Sequence, residues 1–442
     1  MLKLNTGTIT AQEVFIGGVA FWLGMLVFRL SLDFAYQYFL SPIFKFDSPI
    51  NFHYLVFSDR YILSLIVFLS FVLVLRAKAN NMSDVFMFMS ALFLVAPMTS
   101  EYGLNAARPF QPVAVLLLAL LIVDIISRVR IPDFISNHTI PAGRSIAIGV
   151  SVAGVIYLVL WGHISGAAKY LSFDLTKIYS YREKITELLD VGVTAYLNLW
   201  VYKVFTIFLI CISLQYKKYL LLFILIIIQI YFFGLTSHRI VLFLPLMPVV
   251  FWLYLRRFNS LTPMPYMASV GICMAIIAYE YLSLVTIPEI IIRRAFFVPT
   301  GLVFQWFDYF NGHAHVYWAD RILSSFSDGA YVGVNIPRLI GDYLVPGSNS
   351  AANSGMIASG YAHAGYLGVI LYSVILGLVV SGLNSVIKSG VPLWVVAALS
   401  MGPLRTAIAD SDLFTSLLSH GLGLTFVILW LYRGGESKPS HS

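Results

Sequence analysis

Residues 219–235 read YLLLFILIIIQIYFFGL, a run with no charged side chain in which Gln229 is the sole amide. A hydrocarbon core of about 30 Å is crossed by about 20 helical residues. A helix apolar on every face has no side to turn toward water, so the run reads as a helix in lipid. Working outward, Lys217 and Lys218 precede it, and Thr236, Ser237, His238 and Arg239 follow it. Comparable runs recur at residues 14–36, 54–75, 85–98, 112–126, 145–162, 195–214, 240–254, 266–285, 366–383, 391–404 and 416–432. The expected fold is therefore all-α: a polytopic integral membrane protein of about twelve transmembrane helices, one membrane domain over residues 1–442.

Composition agrees. Of 442 residues 59% are hydrophobic and 11% charged, and mean hydropathy is +0.84; soluble domains carry about 25% charged residues. Cys211 and Cys273 both lie in apolar runs, which excludes a disulfide framework and a CxxC metal spacing. The first run follows Lys3 and lacks a small-residue cleavage site, so it reads as a retained helix. The net charge of +7 is spread over loops without a basic tail. Nucleic acid is not an expected partner, and phosphate-bearing lipid is.

An inside N-terminus places Arg76, Lys78, Arg128, Arg130, Arg144, Lys217, Lys218, Arg256, Arg257, Lys388, Arg433 and Lys438 in the cytoplasm. Short cytoplasmic loops rich in Lys and Arg satisfy the positive-inside rule. Both termini are then cytoplasmic, and two long segments face outward: residues 168–192 and 288–365. The longer one alternates aromatics (Phe296, Phe297, Phe304, Trp306, Phe307, Tyr309, Phe310) with Arg293, Arg294, Asp308 and Arg321. That mixture suits a folded cap of helices at the headgroup interface. No repeat of fixed period is visible, which weighs against an inverted-repeat transporter.

The outward cations carry the chemical signal. Arg182 follows Tyr181, and Arg239 follows His238 at the start of a span. An arginine at membrane depth costs about 3 kcal/mol and normally has a partner. Arg239 has two readings: snorkelling or pairing with a carboxylate such as Glu280, or a phosphate ligand, because guanidinium presents a planar donor fork. Arg293, Arg294, Arg321 and Arg338 extend the set, with anionic headgroups or solvent as alternative partners. Small residues crowd residues 347–368, including Asn353, and end on Tyr361, His363, Gly365 and Gly368. They let backbones approach closely. His363 is a candidate general base, and its alternative is a hydrogen-bonded structural histidine. Asp410 and Asp412 have the spacing of a metal-binding pair, and helix capping explains them equally. His315 with Asp320 is a weak acyl-transfer spacing, and His313 reads as a loop residue. Trp306 and Trp318 suit either sugar stacking or packing.

Span number, paired outer loops and the residues around Tyr181–Arg182, His238–Arg239 and 353–368 resemble the Wzy-type O-antigen, or oligosaccharide repeat-unit, polymerases of bacterial inner membranes. The resemblance covers most of the chain. It implies a fold similar to the O-antigen ligases (GT-C-like) and a periplasmic glycosyltransferase acting on undecaprenyl-diphosphate-linked oligosaccharide repeat units. The growing glycan leaves its diphosphate and is taken by the non-reducing-end hydroxyl of a new repeat. On this pattern Arg182 and Arg239 hold diphosphate, with Tyr181, His238 and Asn353 in the binding set. Arg293, Arg294, Arg321 and Arg338 support lipid or glycan, and His363 or Tyr361 serves the acceptor hydroxyl. No cofactor or metal is expected. A chain-length regulator is an expected partner beside membrane lipids. The ligases place a histidine before the asparagine ahead of a Gly-x-x-Gly helix start, whereas here Ala352 precedes Asn353 and the nearest histidine is His363. A ligase or a lipid-linked oligosaccharide flippase remains an alternative.

Overall fold

The computed structural model of the chain describes residues 11–45, 49–129, 140–173, 185, 187–236, 239–320, 325, 329–348 and 350–433, the side chains of residues 11–17, 239 and 240 excepted. Among these residues every regular element is a helix, and the isolated bridges Leu55–Asn105 and Lys78–Ser260 extend into no strand. Nine helices among them are long and apolar enough to cross a membrane: Gly18–Phe44, Met82–Leu104, Gln111–Arg128, Gly143–Ile164, Val193–Gln215, Tyr219–Thr236, Pro263–Leu282, Met356–Lys388 and Leu413–Arg433. The chain is thus an all-helical, multi-pass membrane protein.

The other three apolar runs fold as shorter helices. Ser58–Val72 has 15 residues, about 22 Å at 1.5 Å per residue and short of a full core. Arg239–Phe243 and Leu246–Leu255 are separated at Pro245, whose ring cannot continue a helix from the preceding turn. Leu393–Arg405 holds Pro403 in its last turn and runs on as the wide, π-helical Thr406–Asp410. Similar wide turns occur at Tyr36–Leu40, Ala91–Val95, Val201–Phe205 and Glu289–Phe297. Such insertions interrupt the regular ladder and are common where helices carry function.

Contacts gather into two compact units: Met1–Ala79, Met87–Leu120 and Asn259–Val369 form one, and Asn80–Phe86, Leu121–Phe258 and Ile370–Ser442 the other. In the first, Gly24 lets the ring of Tyr266 lie against its helix, and the Tyr266 hydroxyl donates to the Ala20 carbonyl at 2.8 Å. Gly103 leaves room for the Ser64 hydroxyl in the same way. A fully buried Arg29 pairs with Asp33 and donates to Thr99 and Ser64, each at 3.2 Å. Asp33 also accepts from Ser100 at 2.5 Å and Tyr61 at 2.9 Å. A second buried pair joins Arg108 to Glu101 at 2.6 Å, with Arg108 donating to the Ile50 carbonyl. In the second unit Asn384 donates to Ser83 at 2.7 Å and to the Ser127 carbonyl at 3.0 Å, and accepts from the Met82 amide at 2.8 Å. Arg128 bridges Asp84 and Asp124.

Helices run through the described part of residues 288–365. Glu289–Phe297 leads into Val298–Gly312, and Ile336–Leu344 begins at Asn335, whose side chain accepts from the Arg338 amide. Many of the segment's aromatics face protein, whereas Tyr317 and Tyr343 are exposed. Phe304, Trp306, Phe307, Tyr309 and Phe310 are buried in protein, and the Trp306 indole donates to the Ala352 carbonyl at 3.0 Å. Burying these rings removes a large apolar area from solvent, which holds the segment together. Gly341 faces the Ser350 carbonyl with no room for a side chain, and the Ala352 amide donates to Pro337 at 2.8 Å.

Candidate functional site

The helix Met356–Lys388 begins ten residues earlier than its apolar run, at 356 against 366, but breaks where that run starts. Ala364 (φ −150°, ψ 33°) and Gly365 (φ +59°, ψ −140°) leave helical geometry. Gly365 sits in a region that side chains avoid, so glycine is required there. Past the break the two halves touch backbone to backbone: a Cβ on Gly368 would fall on the Gly360 carbonyl oxygen. The small residues crowded before the span thus build a tight hinge.

Ending a helix frees carbonyls that need donors. The irregular segment after Val298–Gly312 supplies them: the Val316 amide donates to Ala362 at 2.9 Å and the Tyr317 amide to His363 at 2.8 Å. Tyr317 and Trp318 hold positive φ, at 49° and 57°. Aromatic residues rarely adopt that conformation, and such strain collects at functional sites.

Around the break three polar side chains close a hydrogen-bonded ring, and a fourth, Tyr366, is attached to it. The Tyr361 hydroxyl donates to Asn311 Oδ1 at 2.7 Å and accepts from Gln111 Nε2 at 3.1 Å. Gln111 Nε2 also reaches the Tyr366 hydroxyl at 2.9 Å, and Asn311 Nδ2 donates to Gln111 Oε1 at 3.0 Å. Tyr361 is buried with its ring stacked on Phe307 at 4.0 Å, whereas Asn311 and Tyr366 are exposed. The ring therefore carries its hydrogen-bonding groups from a packed floor to an open rim. His315 stands edge-on to Tyr361 at 5.7 Å and against Gly365. Its Nδ1 is buried and has no hydrogen-bond partner among the described residues. Leaving such an atom unpaired is costly, which points to a role outside packing.

His363 is also at the break but differently engaged. It is buried, its ring is stacked on Trp318 at 5.2 Å, and its Nδ1 accepts from the Trp318 amide at 3.3 Å. A neutral imidazole has one acceptor nitrogen. Here that nitrogen faces the backbone, and the proton is assigned to Nε2.

The arginines are placed separately. Arg293 and Arg294 share one carboxylate, Glu289, at 3.1 and 3.3 Å, and Arg293 lies over the Phe44 ring at 4.4 Å. Burial lowers the Arg293 pKa and Glu289 pulls it back up. Arg338 and Asn353 are exposed, and neither side chain joins the Tyr361 ring among the described residues. Tyr343 donates to Asp308 at 3.1 Å, and that carboxylate raises the tyrosine pKa. Tyr181, Arg182 and the rest of residues 174–184, with His238 and Arg321, lie outside the described residues, and Arg239 is described only as the first residue of Arg239–Phe243. Asp412 caps Leu413–Leu418 through the Phe414 and Thr415 amides and accepts from Tyr372 at 2.8 Å, while Asp410 pairs with Arg405. No group of three metal-ligating side chains occurs among the described residues.

Sequence reading missed Gln111, Asn311 and Tyr366. Gln111 beside Pro112 at the mouth of a span was the visible signal. Its partners, 200 and 255 residues away, leave no local trace. Fold and site together define an all-helical, multi-pass membrane protein with an amide- and hydroxyl-lined break in one long helix. No family model matches its sequence, and no curated protein or solved structure matches it.

Proposed function

We propose that the chain is a glycosyltransferase of the repeat-unit polymerase type, working at the outer face of a bacterial inner membrane on lipid-diphosphate-linked oligosaccharides. In this reading Ser58–Val72, the segment from Arg239 to Leu255 and Leu393–Arg405 also cross, giving twelve spans with both ends inside and a GT-C-like fold. The observation that carries the reading is the hydrogen-bonded cluster of Gln111, Asn311, Tyr361 and Tyr366 at the break. Amides and phenols offer both donors and acceptors, the pattern that recognises sugar hydroxyls. His315 beside Tyr361 supplies a titratable group within the same cluster. On the sequence resemblance, Arg182 and Arg239 would meet the negative charge that develops on the departing diphosphate, a task suited to guanidinium groups.

The test is polymerisation by purified protein from one defined lipid-linked repeat, with and without chelator. A ladder of extended lipid-linked chains is expected under both conditions. Protein that is folded but leaves every repeat single overturns the reading. Transfer of single repeats to a lipid-A core acceptor, without a ladder, would assign a ligase.

A further inference from the structure

The first unit carries a second feature, a pair of cations at the end of bare apolar surface. Arg293 and Arg294 lie in the wide helix Glu289–Phe297. Its hydrogen bonds span five residues in place of four, so the residues four and five places after Glu289 both come round to meet it. Glu289 Oε1 accordingly accepts from Arg293 at 3.1 Å and from Arg294 at 3.3 Å. No other carboxylate pairs with either arginine among the described residues, so the trio keeps one positive charge in excess. Arg293 is held in place: its side chain is 17% exposed, it lies over the Phe44 ring, and its buried Nε has no hydrogen-bond partner among the described residues. Arg294 is presented: its side chain is 58% exposed, and among the described residues only its Nε is engaged, with Glu289.

The surface leading to Arg294 is apolar. Between residues 287 and 294 the exposed positions are Ile287, Ile290, Ile291 and Arg294, recurring every three to four residues as one side of a helix does. Pro288, Ile292, Phe296 and Phe297 are buried. One exposed stripe thus runs along isoleucines and ends on a guanidinium. That is the complement of an anionic amphiphile, with hydrocarbon along the stripe and phosphate oxygens in the donor fork of Arg294. A free phosphate leaves the isoleucines uncovered, and a zwitterionic headgroup brings a cation of its own to the fork. We propose that Arg293, Arg294 and the isoleucine stripe form a docking site for an anionic phospholipid of the surrounding bilayer, with Glu289 positioning the two arginines. The site stands whichever reaction the chain performs, and its test reads binding alone.

The experiment melts the purified full-length chain in neutral detergent micelles across a titration of phosphatidylglycerol, with phosphatidylcholine alongside. A saturable rise of the midpoint is expected with phosphatidylglycerol and not with phosphatidylcholine. Arg294→Gln should weaken the apparent affinity about fivefold, the weight of one basic residue beside an anionic lipid surface. Lys169→Gln removes an exposed cation elsewhere and should leave the affinity unchanged. Glu289→Gln removes the competing carboxylate and should tighten binding, an opposite sign that a merely structural trio does not produce. Inorganic phosphate at constant ionic strength should give no saturable rise; one that Arg294→Gln abolishes would assign the arginines to a free phosphate and overturn the lipid site. Displacement of phosphatidylglycerol by an equal amount of a polyprenyl diphosphate, lost in Arg294→Gln, would assign the pair to a substrate and overturn it too. So would equal responses to the two phospholipids, or equal affinities for phosphatidylglycerol in the native chain, Arg294→Gln and Glu289→Gln.

Discussion

Gly368→Ala tests the hinge most directly. The added methyl would fall on the Gly360 carbonyl oxygen, a backbone atom that cannot swing aside as a side-chain tip can. Overpacking of a tight contact costs about 1–3 kcal/mol, and a backbone obstacle belongs at the upper end. Alanine returns up to about 1 kcal/mol of helix propensity. The net expectation is a loss of about 2 kcal/mol. Gly149 supplies the control: it is also helical, but nothing lies within 4 Å of its added Cβ, so Gly149→Ala should gain up to about 1 kcal/mol. Denaturant titration of both proteins in the same detergent, followed by circular dichroism, measures the contrast. Equal shifts of the same sign would refute the close backbone approach and the hinge with it. Chain extension by Gly368→Ala should fall as well, because the displaced half-helix carries Tyr361.

Three further outcomes are expected. Tyr361→Phe removes the hydroxyl shared by Asn311 and Gln111 and should lower chain extension by on the order of a hundredfold at about 1 kcal/mol of stability, read by ladder formation beside a melt. Arg239→Ala should abolish extension while the protein still inserts; a normal ladder removes Arg239 from the site. Asp412→Ala deletes a cap that accepts two amides and the acceptor of the buried Tyr372 hydroxyl and should cost about 2–4 kcal/mol, seen as a lower melting midpoint with the ladder retained at lower temperature.

The apolar runs were legible because hydrocarbon leaves the backbone few options: a run long enough to span must be helical. The close backbone approach was legible in part, since Gly360 and Gly368 lie in a stretch crowded with small residues, but the break at Ala364 and Gly365 was not. The direction of the aromatics in the long segment was not. Trp and Tyr suit a headgroup layer and a protein interior equally well, and only the position of Ala352, whose carbonyl takes the Trp306 proton, places that indole inside. The Tyr361 ring was hidden for a different reason. Each of its members is an ordinary polar residue at the edge of an apolar run, and the chemistry arises only when helices far apart in sequence meet. His315 shows the same limit. Spacing pairs it with Asp320, whereas folding puts it beside Tyr361 and Gly365.

The intramembrane charges bear on the choice between an enzyme and a flippase. A transport path needs polar groups that exchange partners as substrate passes. Arg29 and Asp33 are instead saturated: Arg29 has Asp33, Thr99 and Ser64, and Asp33 has Arg29, Ser100 and Tyr61. Asp33→Asn strands a buried guanidinium and should cost about 3–5 kcal/mol, as breaking one side of a buried pair does. Replacing both partners together, Arg29→Met with Asp33→Leu, removes the stranded charge and should recover most of that loss. Recovery is incomplete because Ser100 and Tyr61 lose an acceptor, while Ser64 and Thr99 keep bonds to the Tyr61 and Val95 carbonyls. The same melt reads all three proteins, and ladder formation tells the readings apart. A double variant that is stable and still extends chains makes the pair structural; one that is stable yet inert would place Arg29 and Asp33 on a working path through the bilayer.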